Sequence, residues 1–213
     1  MLLIGMFDSP FVRPVAVSLK LLDIPFEHAN WSVGKDYERI REFNPLVRVP
    51  TLVLDDGTAL VECAAILDHL DETVGPARAL LPDSGRERRD ALQIAAIALG
   101  AAEKGREQIY ERVFRPAEKR HDPWLARCRA QMHGGLAELD ALCAARGAGR
   151  WLIGDSITRG EITLASAFTF LTESVGLTEQ EGPYPALRAL VARCEALPPF
   201  VATRVAWSAP KPH

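Results

Sequence analysis

No apolar run in this 213-residue chain approaches the roughly 20 residues that a membrane-spanning helix needs. Cysteine is sparse. Cys63, Cys128, Cys143 and Cys194 lie far apart and form no CxxC pair, which fits a reducing compartment better than a disulfide framework. The five histidines include no HExxH and no paired spacing, so no metal site is expected. The opening residues have no basic n-region and read as a strand from Leu2, so no signal peptide is expected and the cytoplasm is the expected location. A basic face is missing as well. Residues 1–75 hold six Lys and Arg against twelve Asp and Glu, a net −6, and the remainder holds 19 against 16, a net +3. Binding to a nucleic-acid backbone requires clustered positive charge, which excludes nucleic acid as a partner. An anion bound by the first half would have to be held by helix N-termini against an acidic background.

What remains is ordinary globular material. Hydrophobic residues make up 48% of the chain and charged residues 25%, enough for a packed core, and the length suits two small domains. Leu2-Leu3-Ile4-Gly5-Met6 reads as a buried strand, and Phe7-Asp8-Ser9 as a sharp exit from it. Pro10 is expected to open a helix that carries Val12, Val15, Ala16, Leu19 and Leu22 on one side, since proline suits a first turn. Strands follow over 26–30, 50–54 and 58–61, with Asp55-Asp56-Gly57 as a hairpin turn and helices over 36–43 and 62–72. The order βαβ, then ββα, predicts an α/β domain with a mixed four-stranded sheet and helices on its faces. The division is a first domain over 1–74, a linker over 75–85 rich in Gly and Pro, and an all-α domain over 86–213.

The second part has helical period throughout. One long helix is expected over 86–114 and another over 123–146. The stretch 94–102 is apolar on all sides, which predicts burial both within its own domain and against a second subunit. Gly134-Gly135 inside the next helix predicts close approach of a neighbour. Thr158 and Glu161 form a T-x-x-E capping box flanked by an Ile157 to Ile162 staple, which marks a helix start and predicts an end near Gly176. Helices are expected over 185–197 and 199–205, with 208–213 frayed.

Three segments carry candidate chemistry. Ser9 ends the first strand segment, where its hydroxyl either caps a helix or faces a ligand at a positive helix end. Asn44-Pro45-Leu46-Val47-Arg48-Val49-Pro50 precedes a core strand, and a cis bond before Pro50 would leave the Val49 main chain free to pair with an extended peptide. Glu62-Cys63 opens a helix, whose N-terminus is an anion site by geometry.

Together, in this order and spacing, the N-P-x-x-x-V-P segment, Glu62-Cys63-Ala64-Ala65-Ile66-Leu67, the linker and the T-x-x-E-I box resemble the cytosolic glutathione transferase family over nearly the whole chain. The Ser-Pro-Phe-Val-Arg opening, Arg115 to Arg120 and the Leu197-Pro-Pro-Phe-Val-Ala-Thr ending are similar to a bacterial, serine-type subgroup of it. The resemblance implies a thioredoxin-like domain followed by a helical domain, with glutathione as co-substrate. It also implies a hydrophobic electrophile site between the two domains, a homodimer and a role in detoxification. Carried over by position, Ser9 would donate to the glutathione sulfur and favour the thiolate, the nucleophile. Val49, preceding Pro50, would pair with the cysteinyl main chain. Glu62 would hold the γ-glutamyl ammonium, the N–H of Cys63 the γ-glutamyl carboxylate, and Arg48 the glycyl carboxylate. Phe11 belongs to the same glutathione set, and Phe11, Tyr110 and Trp207 would wall the electrophile site, although aromatics at helical spacing also serve as core. Arg13 would either support the thiolate by charge or sit solvated on the surface. Cys63 stands where the family usually has serine, and a thiol is a poor hydrogen-bond donor. It reads as a serine substitute or as a reactive thiol at a helix start. Cys63 is also the feature that favours the alternative, a transferase-like binding module without turnover.

Overall fold

A computed structural model describes residues 1–207 of the chain; the expectation for 208–213 lies outside the described residues. Four short strands, β1 (Leu2–Ile4), β2 (Glu27–Ala29), β3 (Thr51–Val53) and β4 (Ala59–Val61), form one sheet in the order β2-β1-β3-β4. β1 runs parallel to β2 and antiparallel to β3, and β3 antiparallel to β4. This is the mixed four-stranded sheet that the βαβ-ββα order predicts, in the thioredoxin-like arrangement that the resemblance implies. Successive side chains of β1 point to opposite faces. Leu3 packs with Val12 just before α1 (Arg13–Leu21), with Val15 and Leu19 of that helix, and with Ile66 and Leu70 of α3 (Cys63–Val74) on one face. Ile4 packs with Ala29, Ile40 and Val47 on the other, under α2 (Tyr37–Arg41). The chain leaves β1 through Gly5 at φ +131°, where a Cβ would lie 2.5 Å from Val12 and 2.9 Å from Val49. Only glycine fits there.

α1 starts three residues later than expected. Pro14, not Pro10, occupies its first turn. Pro14 has no N–H to return to the carbonyl of Pro10, so the turn before α1 is held by Arg13 N–H donating to the Ser9 carbonyl at 3.0 Å, and the regular ladder begins at Arg13.

After α3 ends at Val74, no helix or strand intervenes before α4 (Gly85–Val113). α4, α5 (Asp122–Arg146), α6 (Arg159–Phe170), α7 (Pro185–Glu195) and the short α8 (Pro198–Val201) make the helical domain. α8 stops four residues before the expected end. Gly135 does admit α4, since a Cβ would meet Ile97 at 3.4 Å and Ala101 at 3.5 Å, whereas Gly134 faces open space. In α4 Ile94, Ala95, Ala98, Ala101 and Ala102 are buried, but Leu92, Ala96 and Gly100 on its other side are exposed. The capping box is formed. Thr158 Oγ1 accepts from Gly160 N–H at 3.2 Å, and Glu161 accepts from Thr158 N–H at 2.9 Å. Glu161 is fully buried and also accepts from Leu152 N–H at 2.6 Å, so it anchors the loop before the helix as well. A π-helical turn, Leu171–Val175, carries α6 on to Gly176, which caps it in the left-handed conformation.

Two buried ion pairs join the domains. Arg13 is neither a thiolate partner nor a surface residue. It forms two parallel bonds with Glu195 of α7, at 2.6 and 2.7 Å, and donates to the Phe200 carbonyl at 3.1 Å. Arg159 of α6 bonds Asp71 of α3, and its N–H donates to the Leu80 carbonyl at 2.8 Å. Removing one partner of such a pair leaves an uncompensated buried charge. Arg13→Ala is therefore expected to lower stability by about 3–5 kcal/mol in urea unfolding, and Arg13→Met with Glu195→Met to recover most of it. A loss under about 1 kcal/mol for the single variant would show that the pair does not hold the domains.

All four cysteines are buried. Burial pushes the Cys63 thiol up to about 12, with the nearby Glu62 carboxylate acting in the same direction. Cys143 and Cys194 are likewise pushed up to about 12, chiefly by burial. Thiols this far above their ordinary range are neutral and unreactive at pH 7. Titration with an aromatic disulfide reagent at pH 7 is expected to find less than one reactive thiol in the native protein and all four after denaturation. Rapid native modification of Cys63 would contradict this placement.

Candidate active site

A cavity of about 530 Å³ opens between the tip of the sheet and the helical domain. The sheet side is built from Met6, the turn 8–11, the loop 31–35 and Val47 to Val49. The helical side is one stripe of α4, namely Arg106, Ile109 and Tyr110, continued by Phe114 just past its end, together with Phe170 and Trp207. Six residues singled out from the sequence meet here: Ser9, Phe11, Arg48, Val49, Tyr110 and Trp207.

Ser9 is partly buried. Its Oγ accepts from Phe11 N–H at 3.3 Å, so it caps the turn before α1 rather than α1 itself. This bond uses an oxygen lone pair and leaves the hydroxyl proton available to a ligand. The capping and ligand readings are therefore compatible.

The loop before β3 is organised by Asn44. Its side chain is buried, donates to the Arg48 carbonyl at 2.8 Å and to Thr51 Oγ1 at 3.1 Å, and accepts from Leu46 N–H at 2.9 Å. The Val49–Pro50 bond is cis. Pro50 is buried and does not line the cavity. Among the described residues, neither the N–H nor the carbonyl of Val49 has a hydrogen-bond partner. Val47 sits at φ +49°, a true outlier for a β-branched residue, with its side chain in the core beside Ile4 and Ile40.

Glu62 and Cys63 do not line the cavity. Glu62 is the residue before α3, at φ +74° and exposed, and one carboxylate oxygen lies 3.8 Å from Arg48. Arg48 thus connects the cavity to the start of α3. The Cys63 side chain packs in the core with Leu3, Val12, Ile66 and Leu67, so its sulfur is out of reach. Among the described residues the N–H groups of the first turn of α3 have no side-chain cap.

Sequence reasoning missed Trp31 to Lys35, Arg106 and Phe170. Arg106 was findable, since it lies three and four residues before Ile109 and Tyr110 on the same helix face. The loop 31–35 carries no motif. The charged lining residues are Asp8, Lys35, Arg48 and Arg106, so cations prevail locally in an acidic domain. Among the described residues no group of three or more His, Cys, Asp or Glu is placed to hold a metal, and no helix is long and apolar enough to cross a membrane.

Residues 3–78 match the family model for the glutathione S-transferase N-terminal domain, and residues 122–193 that for the C-terminal domain. The uncharacterized GST-like protein YibF of Escherichia coli is 31% identical over 140 residues, 66% of this chain and 68% of that protein. A glutathione S-transferase of Methylobacterium radiotolerans, solved with glutathione sulfonate, is 28% identical with a TM-score of 0.91, covering 100% of this chain and 98% of that one. A glutathione transferase family member of Pseudomonas fluorescens, solved with glutathione, is 28% identical with a TM-score of 0.81, covering 95% and 98%. On these matches the chain belongs to the glutathione S-transferase family.

Proposed function

We propose that the cavity binds glutathione stretched across the tip of the sheet, and that the protein is a glutathione transferase whose bound thiolate attacks a small hydrophobic electrophile. The observation that carries this reading is the convergence, in one cavity, of a partly buried serine hydroxyl and an unpaired Val49 main chain. Similar proteins solved with glutathione or glutathione sulfonate support it. In this reading Val49 pairs with the cysteinyl main chain, and Arg48 receives the glycyl carboxylate. Glu62 holds the γ-glutamyl ammonium, and the N–H of Cys63 at the start of α3 holds the γ-glutamyl carboxylate. Phe11 and Pro50 shape the glutathione subsite, and Phe11, Tyr110 and Trp207 wall the electrophile site.

Ser9 is the catalytic residue of the proposal. Its hydroxyl donates to the sulfur and stabilises the thiolate more than the thiol, which lowers the sulfur's proton affinity. Positioning beside the electrophile supplies the rest. The alternative of a binding module without turnover drew on Cys63. With that sulfur in the core, exchanging it for a serine changes no main-chain donor, so the alternative loses its distinguishing support.

We further propose residues 1–74 as the glutathione-binding domain, 75–85 as the linker and 86–213 as the helical domain. The protein is read as a cytoplasmic detoxification enzyme of the bacterial serine type, without metal. A homodimer would cover the exposed side of α4 at Leu92, Ala96 and Gly100.

Ultraviolet titration of bound glutathione tests the role of Ser9. The wild type is expected to show thiolate at neutral pH. Ser9→Ala is expected to raise the apparent pKa of the bound thiol by about 1–2 units and to lower kcat about 10- to 100-fold, the range for a hydrogen bond to a charged group. An unchanged thiolate band in Ser9→Ala would remove Ser9 from the mechanism.

A further inference from the structure

We infer that the electrophile carries a carboxylate and that Arg106 of α4 receives it. This rests on the glutathione reading above and names the substrate class for it. Among the described residues, Arg106 is the one charged side chain that the helical domain contributes to the cavity wall, in a row otherwise formed by Ile109, Tyr110, Phe114 and Phe170. A purely apolar electrophile would exclude water from an ionised guanidinium whose remaining donors it cannot satisfy, an arrangement that burial penalises.

The guanidinium is held in place rather than free to swing away. Its carbon lies 5.2 Å from the centroid of the Tyr110 ring. Nη2 donates to Glu103 and, at 3.1 Å, to Glu107, both on the same helix. Those glutamates are about one-third exposed, at 34% and 33%, so water screens both pairs and a carboxylate entering from the cavity competes with them. Nη1, by contrast, makes no hydrogen bond among the described residues and is not sealed from solvent, whereas Nε–H is buried out of a ligand's reach. Nη1–H and Nη2–H together form the outer edge of the guanidinium fork, which binds a carboxylate through two parallel bonds. An acceptor delivered by the substrate would engage that open donor, and an uncharged apolar group would not. On the sheet side Lys35 and Arg48 add positive charge to the same cavity.

Calorimetric binding of three probes tests the inference: glutathione, S-(2-carboxyethyl)glutathione and S-(2-carbamoylethyl)glutathione. The two conjugates have the same length and shape and differ in charge. The wild type is expected to bind the carboxyethyl conjugate about 10-fold or more tightly than the carbamoylethyl one. Arg106→Met is expected to abolish that preference, whatever change in glutathione affinity follows from releasing Glu103, which also lies 4.0 Å from Arg48. Arg106→Lys should retain part of the preference, because a point charge remains without the fork. Equal wild-type affinities, a preference that survives Arg106→Met, or equal weakening of all three probes in that variant would each overturn the assignment. Failure of the wild type to bind glutathione itself would instead overturn the functional reading beneath it.

Discussion

The bidentate pair between Arg13 and Glu195 is the contact on which the rest of the molecule depends. It joins the first helix of the sheet domain to the seventh helix of the chain, across 182 residues of sequence, and both side chains are nearly buried. The same guanidinium reaches the Phe200 carbonyl and lies over the Phe200 ring, while Glu195 also accepts from Thr169 at 2.6 Å. Both Nη atoms and both carboxylate oxygens are matched and the buried Arg13 Nε is not, so the pair is close to the condition under which a buried ion pair is tolerable. With the second clamp, Arg159 to Asp71, it fixes how the sheet meets the helices. The cavity is the gap left by that meeting, so its walls are only as well defined as the two clamps.

Much of what the site offers is main chain. Asn44 holds the 44–51 loop from inside, Val47 and Glu62 accept backbone conformations that ordinary residues avoid, and the Val49 amide and carbonyl are left open between them. Strained residues of this kind cost of order 1–3 kcal/mol each and persist where surrounding packing over-determines them. At Val47 the packing is visible, since its side chain is part of the small core under α2. Glu62 is exposed and is held instead by its carbonyl, which accepts from Ile66 N–H at 3.0 Å at the start of α3. Side-chain chemistry is then concentrated in few groups: the hydroxyls of Ser9, Ser32 and Tyr110, with Lys35 and Arg48 across the cavity from an aromatic wall that carries Arg106.

The parts legible in the sequence are those decided by neighbours in the chain. The capping box at Thr158 and Glu161, the hairpin at Gly57, the order of strands and helices and the proline before β3 are all short-range. Where the reading slipped, the cause was either a subtler local effect or a distant partner. The start of α1 moved because Pro14 interrupts the ladder that Pro10 seemed to open. Arg13 could not be read correctly, because its partner is supplied by a helix at the other end of the chain. The fate of the Cys63 thiol depended on which face of the sheet α3 packs against. Arg106 was within reach of helical periodicity, but the loop 31–35 enters the cavity without any sequence pattern to announce it.

A crystal structure of the protein with glutathione tests the central claim most directly. The account predicts the sulfur within about 3.5 Å of Ser9 Oγ, within reach of a hydrogen bond to sulfur. It also predicts two main-chain bonds between the cysteinyl unit and Val49, and the γ-glutamyl carboxylate at the start of α3. A tripeptide seated elsewhere, or one whose sulfur points away from Ser9 with Val49 still unpaired, would contradict it.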